Sequence, residues 1–417
     1  MRGGWPLAPR QPMTSDESVH QRVVTVGKFR SLADRLERDR SEVSALLSTC
    51  EPTWVAVDEA EKTIRALRTY SSEIPLLSRR RPLGEVAVAL PFNNPLYSLI
   101  LYSAGIALGG SRVTVRPSSW TSSIVREIYA SYGDALSDAG IQVTALSGAD
   151  FINVAGHDPR VQTLLFTGSF DNLTRIRQDF PVDKGLIYCG SGVSPFVVGP
   201  GTQMDISEIV SMIIDSKFYN SGQDCLCTER LYIHRNFASE LVPALVEASR
   251  ELAIGDFGDD NARLTPLVPP IAERARALIT QLRGSGEQLL AVEGDGALIG
   301  PHLYLLDSQN PLHFEEKFAP ILTISLYDTE EELHTIAESN FLFGATVTDP
   351  DIAHVFEKYP HLTRASTLIE YESADAHMPF GGRRRSGFST RGHSFKDGPI
   401  LFSIETTTNP ANPHATL

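Results

Sequence analysis

Four cysteines in 417 residues are too few for a disulfide framework, and that scarcity points to a reducing, cytoplasmic setting. No apolar run reaches the roughly 20 residues that span a bilayer, and the first residues lack the apolar core of a secretory leader. No membrane role is expected. Positive charge is scarce as well: the formal net charge is −14, which argues against a nucleic-acid partner. Cys225 and Cys227 are spaced C-x-C, with no further Cys/His cluster to complete four ligands, so no metal is expected. No G-x-G-x-x-G follows a strand, which removes the standard dinucleotide fingerprint. The chain has no internal repeat and no low-complexity segment. Two basic runs, "SRRR" at 78–81 and "RRR" at 383–385, read as solvated loops, with an anionic ligand as the alternative.

What remains is a chain with 42% hydrophobic and 21% charged residues, able to bury a large core. Residues 1–15 read as a flexible N-terminus. Val23, Val26, Phe29, Leu32 and Leu36 recur at helical spacing, predicting one long helix over 16–48. Val57, Ala60, Ile64 and Leu67 predict a second over about 54–70. From residue 84, strand-like "EVAVAL", "SRVTV", "IQVTAL" and "VQTLLF" alternate with helical stretches. A second alternating series, "SPFVVG", "RLYIH", "PILTISLY" and "GATVT", follows residue 190. Alternation of this kind predicts two α/β units with parallel sheets, and a ligand at the strand C-termini.

Three stretches hold candidate chemistry. "LLFTGSFDN" ends a strand in Gly-Ser and opens a helix, a form that offers backbone N–H groups and a hydroxyl to a pyrophosphate. The same form serves as a plain strand-to-helix turn. "PFNNP" at 91–95 is a rigid turn that can hold an Asn in a cleft or simply cap the next helix. "FYNSGQDCLCTER" at 218–230 puts Cys225 in a glycine-bearing turn before a strand. Free cysteines are usually inert core residues; an activated one needs a positive or helix-terminal setting.

The order of these pieces resembles the aldehyde dehydrogenase superfamily. The motifs that carry the resemblance are "PFNNP", "VTVRPSS" (113–119), "FTGS" (166–169), "GSGVSP" (190–195), "FYNSGQDC" (218–225), "EEKFAP" (315–320) and "PFGGRRRSG" (379–387). The resemblance covers roughly residues 17–410. It implies a Rossmann-like cofactor domain over 16–70 and 84–189, and a second α/β catalytic domain over 190–395. It also implies a small β oligomerisation arm from 71–83 and 398–417, forming a homodimer or homotetramer. Cys225 matches the family nucleophile and Asn93 the oxyanion donor. For NAD or NADP, the matching residues are Pro91, Phe92, Arg116, Ser119, Phe166, Thr167, Gly168, Ser169, Glu316 and Phe318. Ser119 stands where NAD-preferring members often carry Glu, so NADP is permitted. Leu173 replaces a second family glycine, and a side chain there is expected to crowd the cofactor helix.

The largest departure is Cys189, which occupies the place of the family's general-base Glu. General bases contribute about 10²–10⁴ in rate, so loss of one should slow hydrolysis of a Cys225 thioester more than its formation. Ammonia or an amine, or a thiol such as coenzyme A, then becomes the expected acyl acceptor. Slow hydrolysis through another group, ordinary hydrolysis to a carboxylic acid, thioester reduction in the reverse sense, and a non-catalytic nucleotide-binding paralogue stay open. Cys189 itself reads as a catalytic stand-in, a space-filler, or a redox partner of Cys225.

Overall fold

A computed structural model describes residues 15–77, 80–338, 343–356, 384–397 and 404–405. The chain opens with α1 (Ser15–Arg38), α2 (Arg40–Leu47) and α3 (Thr53–Thr69). Next come β1 (Arg80–Arg81), β2 (Glu85–Ala89), α4 (Pro95–Leu108), β3 (Arg112–Arg116), α5 (Ser122–Asp138) and β4 (Ile141–Val143). The first unit closes with α6 (Gly148–His157), β5 (Val161–Gly168), α7 (Phe170–Asp179) and β6 (Gly185–Gly190). The second begins with β7 (Ser194–Val198), α8 (Ile206–Phe218), β8 (Thr228–His234), α9 (Arg235–Arg250) and α10 (Pro269–Arg283). It continues through β9 (Glu287–Ala291), β10 (His302–Leu305), β11 (Ile321–Tyr327), α11 (Glu330–Ala337) and β12 (Thr346–Val347). Last are β13 (Gly387–Arg391), β14 (Ser394–Asp397) and β15 (Ile404–Glu405).

The predicted first helix is two, broken at Asp39. Its buried face runs through Arg22, Val26, Phe29, Ala33 and Leu36, while Val23 is 58% exposed. One residue is about 100° of helix, enough to turn Val23 off that arc. Val57 departs in the same way, because Ala56, Ala60, Ile64 and Leu67 form the buried stripe of α3.

The first sheet has the order β14-β13-β6-β5-β2-β3-β4. Strands β2 to β6 run parallel. The chain leaves β2 toward β3 and β4, then returns to the other side of β2 as β5. That reversal opens a crevice beyond the C-terminal ends of β2 and β5. Helix α4 is buried along its whole length and starts with Pro95, whose missing N–H costs nothing at a first helical position.

The second sheet has the order β12-β7-β8-β11-β10-β9. The sequence reading placed everything from 190 to 395 with it, but β13 pairs antiparallel with β6 and β14 follows β13. The chain therefore returns to the first sheet, with Gly387 opposite Cys189. Strand β1 pairs antiparallel with β15, joining the two stretches assigned to an arm. Among the described residues, no helix is long and apolar enough to cross a membrane. The N-terminal residues before Ser15 and the "PFGG" part of the last family-like motif lie outside the described residues.

Candidate active site

The candidate residues lie at strand C-termini in only one sheet. Pro91, Phe92 and Asn93 follow the end of β2, and Phe166, Thr167 and Gly168 end β5 beside it. In the second sheet the site residues come before their strands: Cys225 precedes β8 and Glu316 precedes β11. The cause is the short link from β6 to β7. It leaves the first sheet at its C-terminal edge and delivers the leading edge of the second to the same crevice.

Cys225 sits in a turn of unusual backbone. Asn220, Ser221 and Gly222 all have positive φ (47°, 56° and 77°). Non-glycine residues there cost on the order of 1–3 kcal/mol each. Local bonds hold the strain: the Thr265 N–H donates to Ser221 Oγ at 2.9 Å and Gln223 N–H to the Asn220 carbonyl at 2.9 Å. Gly222 is required twice over, since a Cβ there would lie 2.4 Å from the Ala319 carbonyl oxygen. This contact seats the Cys225 turn against the segment that carries Glu316 and Phe318. Gly192, in the link between β6 and β7, makes the same kind of approach: a Cβ there would lie 2.0 Å from the Cys225 carbonyl oxygen.

Cys225 is half-buried and carries a thiol, not a disulfide. It packs at the rim of an apolar cluster that includes Cys189, Tyr102 and Phe343. Cys189 is fully buried, and burial pushes its thiol up to about 12. It therefore stays protonated at neutral pH and is unable to take a proton from water. No disulfide joins it to Cys225. The Tyr102 phenol, on α4, is likewise pushed up by burial, with both thiols nearby adding to the effect.

Asn93 and Asn94 are both buried and both turn their amides to Asp224. Asn94 has left-handed backbone and stands at the N-cap of α4 without making a side-chain cap bond. Glu59 on α3 takes the capping role instead, its Oε1 accepting the Tyr97 N–H at 2.7 Å. Lys62, one turn further along α3, donates to the Tyr219 hydroxyl at 2.7 Å. The Tyr219 hydroxyl in turn donates to Asp58 at 2.6 Å. Helix α3 thus grips the end of the Asn93 loop and the start of the Cys225 turn.

On the nucleotide side, Ser169 caps α7, its Oγ accepting the Asn172 N–H at 3.3 Å. The hydroxyl is partly used by the helix, and its proton remains to donate to an anion. Leu173 does not crowd the crevice, because it is fully buried under α7 against the sheet. Arg116 ends β3 and lines a cavity of about 230 Å³ with Arg126, Ser119, Ser122, Thr144 and Ser147. Arg385, from the second basic run, places its guanidinium 5.0 Å over the Phe170 ring at the start of α7. That puts it at the start of α7, next to Ser169.

Phe92 and Phe318 meet edge to face, ring centres 5.8 Å apart. Glu316 accepts the Gly192 N–H at 2.9 Å. Burial, with Glu229 adding, raises its carboxyl to about 7 against the pull of Arg274, the Gly192 N–H and Ser191. Glu229, to which the sequence assigned no role, accepts the Lys317 N–H at 2.7 Å and the Phe318 N–H at 3.2 Å. It also holds buried Lys217 at 3.2 Å. It shapes the Glu316 loop, though only its place next to Arg230 was visible beforehand. These residues fit a dinucleotide: a capped helix start for phosphates, a basic cavity for the adenosine end and a carboxylate for a ribose.

A crevice at the switch point of one sheet, faced by a cysteine turn from another, is the framework of a two-sheet α/β enzyme. Residues 26–398 match the pattern of the aldehyde dehydrogenase family; the chain belongs to that family. It is 26% identical over 348 residues to 2-aminomuconic semialdehyde dehydrogenase of Mus musculus, covering 79% of this chain and 70% of that protein. It is 26% identical over 390 residues to lactaldehyde dehydrogenase of Methanococcus aeolicus, covering 87% and 82%. Among solved structures, NADP-dependent glyceraldehyde-3-phosphate dehydrogenase from Bacillus halodurans, complexed with NADP, superposes with a TM-score of 0.74 at 24% identity. That match covers 91% of this chain and 83% of that one. The chain is an NAD(P)-dependent aldehyde dehydrogenase-type oxidoreductase.

Proposed function

We propose that Cys225 is the nucleophile of this aldehyde oxidation and that its acyl group passes to an acceptor other than water. The acceptor is ammonia or an amine, giving an amide, or a thiol such as coenzyme A, giving a new thioester. The observation that supports the reading is Cys189, a sealed and protonated thiol, at the position that the sequence resemblance matches to the family's general base.

The Cys225 sulfur, as thiolate, bonds to the aldehyde carbon while the carbonyl electron pair moves to oxygen. Asn93 Nδ2–H and the Cys225 backbone N–H hold that oxyanion, each donor typically worth about 3–4 kcal/mol. Bound NAD(P)⁺ supplies the acceptor for the hydride that leaves the same carbon. The acyl group then remains on sulfur. A neutral amine attacks it with its own lone pair, the C–S bond breaks, the thiolate returns, and the nitrogen gives up one proton to solvent. Water is a far weaker nucleophile without a base, and general-base help is worth about 10²–10⁴.

A second reading has its own support. Glu316, raised to about 7 and bonded to the Gly192 N–H in the β6–β7 link that abuts Cys225, is a carboxylate suited to take a proton from water. Hydrolysis through Glu316 would then give the free acid.

Cofactor choice follows from the cavity at Arg116. Two guanidiniums and four hydroxyls line it, with no carboxylate among the lining residues. Such a surface suits a ribose 2′-phosphate, so NADP is the preferred form. The β1–β15 ribbon serves as a contact in a homodimer or homotetramer.

Mass spectrometry of products from an aldehyde panel, with ammonium, coenzyme A or neither, tests the acceptor. Amide or acyl-thioester formed faster than free acid supports the proposal. Free acid at an undiminished rate whatever the additive, and lost in Glu316→Gln, supports the second reading.

A further inference from the structure

Asp224, the residue just before Cys225, lies inside the "FYNSGQDC" motif, but the resemblance gives it no role, and its carboxylate is held by three donors. It is 2% exposed. Its Oδ1 accepts the Leu226 N–H at 2.8 Å. Its Oδ2 accepts Asn94 Nδ2 at 2.5 Å and Asn93 Nδ2 at 3.5 Å. Every one of these partners is a donor, so the arrangement calls for a carboxylate.

The two ends of an Asn amide have nearly the same shape, and packing discriminates weakly between its two orientations. For Asn93 the difference decides the chemistry. One orientation offers Nδ2–H to the Cys225 turn; the other offers Oδ1, which repels a developing oxyanion. A carboxylate on Nδ2 allows only the first. One amide hydrogen then goes to Asp224, and the second is left for the reacting oxygen. Asn94 anchors the same carboxylate from the adjoining position, where its left-handed backbone (φ 46°) turns the side chain inward.

We infer that Asp224 is a positioning residue that fixes Asn93 in its donor orientation, with Asn94 as the second arm of the clamp. The inference deepens the reading of Cys225 as nucleophile and rests on it. Lys62 from α3, Tyr102 from α4 and Cys227 in the same turn are the titratable groups facing this carboxylate. Burial pushes the Asp224 carboxyl up, opposed first by Lys62 and then by the Leu226 N–H and the two amides.

The test compares Asp224→Asn and Asp224→Ala with Cys225→Ala in the full chain. It reads the single-turnover burst of reduced cofactor, the aldehyde KM and the thermal midpoint. Asp224→Asn replaces an acceptor with a donor against Nδ2, so the Asn93 amide loses its preference. The burst rate should fall on the order of 10²-fold while KM changes by less than about threefold. The acid limb of the burst, caused by protonation of Asp224, should vanish in Asp224→Asn. The thermal midpoint of that isosteric variant should not fall at neutral pH, since the buried charge is gone. A burst within about twofold of the parent overturns the inference. So does a variant that unfolds along with its loss of turnover, because Asp224 would then be merely structural. A Cys225→Ala protein that still gives the burst overturns the nucleophile reading instead, whatever Asp224 does.

Discussion

Glu316 holds a carboxyl raised to about 7, chiefly by burial. As a carboxylate it can accept from two ribose hydroxyls, and as an acid from fewer. The KM for cofactor should therefore rise as pH falls through about 7, and Glu316→Gln should flatten that profile; steady-state kinetics from pH 5.5 to 8.5 check it. Stability has the opposite sign. A raised folded pKa means that the folded chain holds the proton more tightly, which stabilises below the ordinary value of 4.5 and is lost as pH rises through about 7. Glu316→Gln should raise the thermal midpoint at pH 8 and leave it unchanged at pH 4. Cys225 and Asn93 were conspicuous as candidates because each sits in a short motif with distinctive neighbours. Asp224 and Glu229 were not, because their roles depend on amides and N–H groups 130 and 88 positions away.

At the scale of elements, α3 does more than cover the core. Its Glu59 and Lys62 are buried, at 0% and 2% exposure, and grip the Asn93 and Cys225 loops. Burial pushes the Glu51 and Glu59 carboxyls up, while Lys62 pulls the other way. Lys62→Met should cost about 3 kcal/mol at neutral pH. The cost should shrink toward acid pH, where both carboxyls hold protons; denaturant titrations at pH 7 and pH 5 check this. A helix at 53–69 was plain from apolar spacing, but its polar clamp was not. Periodicity reports which face is buried, and a buried Glu or Lys breaks the pattern instead of announcing itself. For the same reason Val23 and Val57 were assigned to faces they leave.

At the scale of the whole molecule, two alternating α/β series were enough to expect two parallel sheets, because right-handed crossovers leave few other arrangements. The return of β13 and β14 to the first sheet was not legible, since a short strand has no mark of its partner. Charge is also unevenly placed. The chain has a net charge of −14, yet Arg116 and Arg126 face one cavity with no lining carboxylate. Arg116→Ala with Arg126→Ala should raise the KM for NADP on the order of 10²-fold, the loss of about two charge-assisted contacts, and change that for NAD far less. Parallel kinetics with the two cofactors check it.

The most direct measurement is intact-mass and peptide analysis of the protein quenched during turnover with an aldehyde and oxidised cofactor. With neither ammonium nor coenzyme A present, an acyl mass should accumulate on the peptide that contains Cys225, and adding either acceptor should remove it. Rapid turnover to free acid with no acyl mass on Cys225, or the same mass in a Cys225→Ala protein, would contradict the account.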